Sequence, residues 1–99
     1  MIFNYFKNYD DSFQLVNGQL EKVTTENGGY WVAASPDIVP IDRLSQFFWG
    51  NHYSSRLYYP REYEGVFLEI FAVDEISKAE IKELYDKWII AYKREAHND

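Results

Sequence analysis

The sequence predicts an α+β fold: a mostly antiparallel sheet packed by one long C-terminal helix, with one short helix besides. Three observations carry that expectation. An Asn17-Gly18 pair sits between short alternating stretches, a run from Gly65 to Val73 is apolar on both sides, and a helical apolar stripe follows Ser77. At 99 residues and 46% hydrophobic the chain has material for one core, so residues 1–99 are read as a single α+β domain.

Taken in order, Ile2 to Phe6 reads as an edge strand. Asn-Gly tolerates the positive φ angles of a type I′ turn, so Ser12 to Thr24 reads as a hairpin. A two-residue loop at Asn17-Gly18 places Leu15 opposite Leu20 on one face, with Gln14 and Glu21 on the other. Glu26-Asn27-Gly28-Gly29 then turns the chain into a strand over Tyr30 to Ala34. A short helix is expected from about Pro40 to Trp49: proline suits the first turn, Asp42 complements the dipole and Gly50 suits the position just past the end. Ile41, Leu44 and Phe48 would share its inner face.

The second half has stronger patterns. Tyr53 to Tyr59 reads as a strand pairing with Val66 to Val73 through a turn at Pro60 to Gly65. Val66, Leu68, Ile70 and Ala72 face one way, and Phe67, Phe71 and Val73 the other, as in a strand central to its sheet. Ser77-Lys78-Ala79-Glu80 has the form of a capping box. The helix it opens is expected to run to about Glu95, with Ile81, Leu84, Tyr85, Trp88 and Tyr92 as its buried stripe.

Catalytic groups are scarce, and the chain reads as a non-enzyme without a cofactor. There is no cysteine and there are two histidines, His52 and His97, so a zinc site with N/S ligands has no ligand set. Gly28-Gly29 lacks the Lys-Ser/Thr and following helix of a phosphate loop. Asp10-Asp11 is either a solvated turn or a carboxylate pair for catalysis or magnesium. Glu69 falls between Phe67 and Phe71 on an apolar face, where burial raises a carboxyl's pKa unless a cation answers it. It reads as an edge charge or an ion pair with Arg56 or Arg61, and otherwise as a partner contact or a catalytic group.

Sixteen acids against ten bases leave a net charge of −6 and a pI near 4.8, with −3 in each half. That balance disfavours direct contact with nucleic acid or anionic lipid and favours a basic protein partner. No apolar run approaches the roughly 18 residues of a membrane span. The start, Met1-Ile2-Phe3-Asn4-Tyr5-Phe6-Lys7, lacks the form of a signal peptide, and the expected location is the cytoplasm.

Residues 49 to 64 concentrate four tyrosines, two arginines and two glutamates with almost no aliphatic side chain. Tyrosine and arginine supply large contact areas with polar tips, the composition of protein interfaces. Tyr53, Tyr58, Tyr59, Glu62, Tyr63 and Glu64 are therefore the candidate partner-binding residues, with Trp49 beside them. The alternative surface is the outer face of the long helix around Ile90, with Glu80, Glu83 and Asp86.

In size, cysteine content, acidity and aromatic-acidic interleaving, most clearly over Tyr58-Tyr59-Pro60-Arg61-Glu62-Tyr63-Glu64, the chain resembles bacterial toxin immunity proteins, including those of contact-dependent growth inhibition. The resemblance covers the chain in character and carries no diagnostic motif. It implies a cytoplasmic protein that binds a cognate toxin domain, often a basic nuclease, and occludes its active site without doing chemistry. Two other readings stand beside it: a phage or plasmid nucleic-acid mimic that blocks a host protein, and a small enzyme or ligand-binding domain using Glu69 or Asp10 and Asp11.

Overall fold

A computed structural model of the chain describes residues 1–7, 12–16, 19–23, 28–61 and 64–97, without the side chains of 12–16, 19–23, 96 and 97. The elements run β1 (Ile2–Phe6), β2 (Ser12–Val16), β3 (Gln19–Val23), β4 (Gly29–Ser35), α1 (Ile38–Gly50), β5 (Ser55–Tyr58), β6 (Val66–Ala72) and α2 (Glu75–His97). Four strands form one antiparallel sheet in the order β1-β4-β6-β5, and β2 and β3 form a separate ribbon. With its two helices, the longer one C-terminal, this is the α+β fold the sequence predicts.

The ribbon has the expected register, Leu15 opposite Leu20 and Gln14 opposite Glu21, while the Asn17-Gly18 turn lies outside the described residues. β1 is an edge strand and β6 is central, as alternation implied. β6 stops at Ala72, so Val73 is exposed beyond its end, and β5 is shorter than the expected 53–59 span. Gly28 and Gly29 are required by close approach. A Cβ at Gly28 would collide with the Ala72 carbonyl oxygen, and one at Gly29 with that of Phe6.

Both helices pack on one face of the sheet. Trp31 and Ala33 of β4 and Val66, Leu68, Ile70 and Ala72 of β6 meet Ile41, Leu44 and Phe48 of α1 and Ile81 and Tyr85 of α2. Aromatic rings extend this layer outward from β1. Phe3 stacks on Trp31 at 4.7 Å and on Tyr85 at 3.8 Å, and Trp88 stacks on Tyr92 at 5.0 Å. The Trp31 indole N–H donates to the Lys78 carbonyl at 3.0 Å, so the buried ring keeps its polar tip satisfied and ties β4 to α2.

The helix ends depart from the sequence expectations for local reasons. α2 starts at Glu75, two residues before the predicted capping box. Its cap is Asp74, whose carboxylate accepts from the Ser77 amide at 2.7 Å while the Asp74 amide donates to Ser77 Oγ at 3.0 Å. An Asp cap with a reciprocating serine thus does what Ser77 and Glu80 were expected to do, and the bonds its carboxylate accepts from the Ser77 amide and hydroxyl hold the Asp74 pKa below its ordinary value. α1 starts at Ile38, earlier than Pro40, with no acid in its first turn, and runs through Gly50. It closes on a left-handed His52 (φ 66°): the His52 amide donates to Trp49 O at 3.0 Å and the Tyr53 amide to Phe48 O at 3.0 Å. This is a Schellman ending with histidine in the place usually held by glycine.

A left-handed non-glycine residue costs about 1–2 kcal/mol, of which glycine's extra chain entropy returns about half. His52→Gly is therefore expected to raise stability by roughly 0.5–1 kcal/mol in urea denaturation. A loss of stability would mean that the imidazole makes an interaction the backbone argument omits.

Candidate functional site

The sheet's second face carries no helix among the described residues, and it is largely apolar. The strand registers set it out in rows: Ile2, Ala34, Phe67 and Tyr58, then Asn4, Val32, Glu69 and Arg56, then Phe6, Tyr30 and Phe71. Ala34, Glu69 and Phe71 in the middle are buried, while Ile2 and Phe6 at one edge and Tyr58 at the other are exposed. Between them lies a concavity of about 420 Å³, walled by Val32, Ala34 and Phe67 and bounded by Phe6, Tyr30 and Tyr58.

Its polar centre is one cross-strand ion pair. Glu69, only 6% exposed, accepts from Arg56 Nη2 at 2.9 Å and from Arg56 Nε at 3.1 Å. Of the two arginines the sequence offered, Arg56 makes the pair, placed directly opposite by the β5–β6 register. Two bonds from one planar guanidinium give direction as well as charge, which lets a carboxylate sit among phenylalanines. The Arg56 guanidinium also lies 5.7 Å from the Tyr58 ring centre, and Tyr58 leans on Phe67 at 6.4 Å. Burial, and then the Glu69 charge, push the Tyr30 hydroxyl above its ordinary pKa.

The candidate interface residues separate in space. Tyr58 belongs to this open face, and Tyr59, at 66% exposed, and Glu64 stand in solvent beyond it. Tyr53 instead packs edge-on against Phe48 at 6.1 Å, on the helical side. Its hydroxyl is pushed up to about 12 by burial, by its hydrogen bond to Glu80 and by the Glu80 and Asp74 charges. Glu62, Tyr63, Asp10 and Asp11 lie outside the described residues. Trp49 is 78% exposed at the end of α1, and Ile90 is exposed on α2.

The α2 surface is balanced in charge. The helix holds five acids and five bases, and several pair at helical spacing, such as Lys87 with Glu83 at 3.2 Å and Lys78 with Glu75 at 4.0 Å. The acidic excess is placed elsewhere. Residues 8–27, which leave the sheet beyond Phe6 and rejoin it before Gly29, contain Asp10, Asp11, Glu21 and Glu26 against Lys22 alone. No cluster of histidine, aspartate and glutamate able to hold a metal occurs among the described residues, and no described helix is long and apolar enough to cross a membrane. Comparison of the chain with protein-family models, with curated proteins and with solved structures gives no match.

Ile2, Phe6, Tyr30, Val32 and Phe67 were not singled out as site residues from sequence. The available signal was the two-sided apolarity of residues 66–73 beside a helix inventory that covers one face.

The raised Tyr53 pKa has a defined sign in stability. The neutral hydroxyl stabilises the fold fully below the unfolded tyrosine value of about 10, and that contribution is lost as pH climbs towards about 12. Urea midpoints are expected to fall over that window, and Tyr53→Phe to fall less steeply than wild type. Tyr5, Tyr30 and Tyr85, also raised, supply the remaining slope. Equal slopes would show that neither burial nor Glu80 raises this hydroxyl in the folded protein.

Proposed function

We propose that the protein is an immunity-type inhibitor that binds a basic toxin domain, a nuclease in the most specific form of the reading, and neutralises it by covering its active site. The observation that carries this is the apolar sheet face with Tyr58 at its rim, in a chain of net charge −6. Exposed apolar side chains gathered at the rim of a concavity, as Ile2, Phe6 and Tyr58 are here, mark association surfaces more often than accidents. Arg56 and Glu69 supply a fixed polar point within it. The acidic excess of residues 8–27 adjoins it in the chain.

The division of labour follows from those placements. Long-range attraction between an acidic inhibitor and a basic enzyme raises the encounter rate, and a few desolvated aromatic anchors set the dissociation rate. Tyr58 is the anchor among the described residues, with Tyr59 beside it and Glu64 as a rim charge. Glu62 and Tyr63 complete the segment in the sequence. Nothing in this mechanism needs chemistry from the protein itself. The cytoplasm is the compartment in which such an inhibitor would meet its toxin.

The test is capture of a partner from the native host's lysate on immobilised protein, followed by binding kinetics with the purified partner. The expected result is a basic protein at one-to-one stoichiometry whose association rate falls steeply with salt. Tyr58→Ala should weaken the complex by about 2 kcal/mol, and a rim change such as Glu64→Gln by much less. No protein partner at any salt, or a salt-independent rate, would overturn the reading.

A second reading has one observation in its favour. The concavity's volume of about 420 Å³ falls in the range of small-ligand sites, and Asn4 and Glu69 place polar groups in its apolar wall. On that reading Glu69→Gln, whose amide oxygen can still accept from Arg56, keeps the fold and abolishes binding of an apolar amine or amide from a small-molecule library. Unchanged binding by the variant, or no ligand for wild type, would remove it.

A further inference from the structure

β5 is an edge of the sheet, and its hydrogen-bonding groups can be assigned to sides. The Phe71 amide donates to the Ser54 carbonyl at 3.1 Å. Along an antiparallel ladder bonded and non-bonded pairs alternate, so with Arg56 opposite Glu69 and Tyr58 opposite Phe67 those two residues turn their backbone groups towards β6. Ser55 and Leu57 turn theirs outward. No strand pairs with that side of β5 among the described residues. Leu57, at 39% exposed, and Tyr58, at 45%, leave apolar surface open along it. The strand has no proline or bulge to discourage pairing, and its one charge, Arg56, is answered by Glu69 across the strands; its shortness is the main protective device it has.

Local charge is nearly balanced at this edge. Arg56 is answered by Glu69, and Arg61 is followed by Glu62 and Glu64, which leaves a surplus of one acid. Most of the acids that make the molecule negative belong to other segments, so the surplus here attracts a basic strand only weakly and repels a second copy only weakly. What favours a second copy is that the strand is self-complementary. With Leu57 opposite Leu57 of a second copy, two outward-facing residues form a bonded pair on the two-fold axis, and Arg56 of each chain lies opposite Tyr58 of the other. That repeats across the interface the guanidinium–ring contact made within each chain.

We propose that β5 is a homodimerisation edge, at which two copies join antiparallel about Leu57 and extend two four-stranded sheets into one of eight. The proposal does not require a toxin partner, although the two surfaces share Tyr58 at the rim of the concave face. Edge pairing adds strands in the plane of the sheet and so leaves the rest of that face uncovered in both copies.

Sedimentation velocity over a wide range of protein concentration tests it, together with amide hydrogen exchange. Wild type is expected to move from the 11.8 kDa monomer to twice that mass as concentration rises, with the Ser55 and Leu57 amides becoming protected in step. Leu57→Pro removes an outward donor and no ladder bond, a position where edge strands tolerate proline. It should weaken the dimer at least about tenfold, whereas Leu57→Ala, which keeps the N–H, should weaken it less. A wild-type mass of 11.8 kDa at every concentration, protection at Ile2–Phe6 instead of β5, or an unweakened Leu57→Pro dimer would overturn the proposal. If Leu57→Pro loses its circular dichroism, the wild-type exchange pattern decides by itself.

Discussion

Both helices pack on the same side of one central strand, and the rest of the molecule follows from that. Val66, Leu68, Ile70 and Ala72 project from β6 into a layer shared by α1 and α2, each almost fully removed from water. Burying each of the three larger side chains contributes about 2 kcal/mol, so β6 is where chain entropy is most heavily offset. Its alternate residues Phe67, Glu69 and Phe71 then lie on the side that carries no helix among the described residues. The apolar concave face is a direct consequence of placing both helices on one side of a two-sided strand.

The same arrangement explains where the aromatic excess goes. A four-stranded sheet is wider than two helices can cover with aliphatic side chains, and flat rings extend the layer. Phe3, Trp31 and Tyr85 stack between β1, β4 and α2, and Trp88 and Tyr92 continue along α2. Lys78 closes the end of this stack over the Tyr5 ring at 4.1 Å, while its carbonyl holds the Trp31 indole. Stacked rings fix orientation more narrowly than aliphatic contacts do. Much of the aromatic content that looked available for recognition is therefore structural.

What was legible in the sequence was whatever depends on period alone. The register of β2 with β3, the two faces of β6, and the Ile41–Leu44–Phe48 and Ile81–Leu84–Tyr85–Trp88 stripes all follow from side-chain spacing. What failed depends on competition between neighbouring candidates. Asp74 and Ser77 can both cap α2, and Asp74 wins because its carboxylate accepts from an amide that Ser77 itself supplies. Gly50 and His52 can both end α1. The end falls where two amides reach Trp49 and Phe48, which puts the left-handed residue at His52. The candidate site was half legible for a similar reason: Tyr53, Tyr58 and Tyr59 look alike in the chain, and only the strand's short span separates them onto core, open face and solvent.

The Arg56–Glu69 pair bears on why the open face has one polar row in an otherwise apolar surface. An ion pair that is partly desolvated is weak support for stability, since hydrophobic residues of similar size would do as well or better. Its retention on a purely structural account would therefore be costly. What the pair does supply is register. One-residue slippage of β5 along β6 would set Arg56 against Leu68 or Ile70 and strand Glu69 without its cation. β5 has four residues and little side-chain burial of its own, so a slip is otherwise inexpensive. The charged row thus locks the least anchored strand at the position that keeps Tyr58 on the open face and the outward groups of Ser55 and Leu57 on the free edge. Both surfaces depend on one pair of side chains buried only on the carboxylate side, and that dependence gives an expensive ion pair its physical reason in a sheet this small.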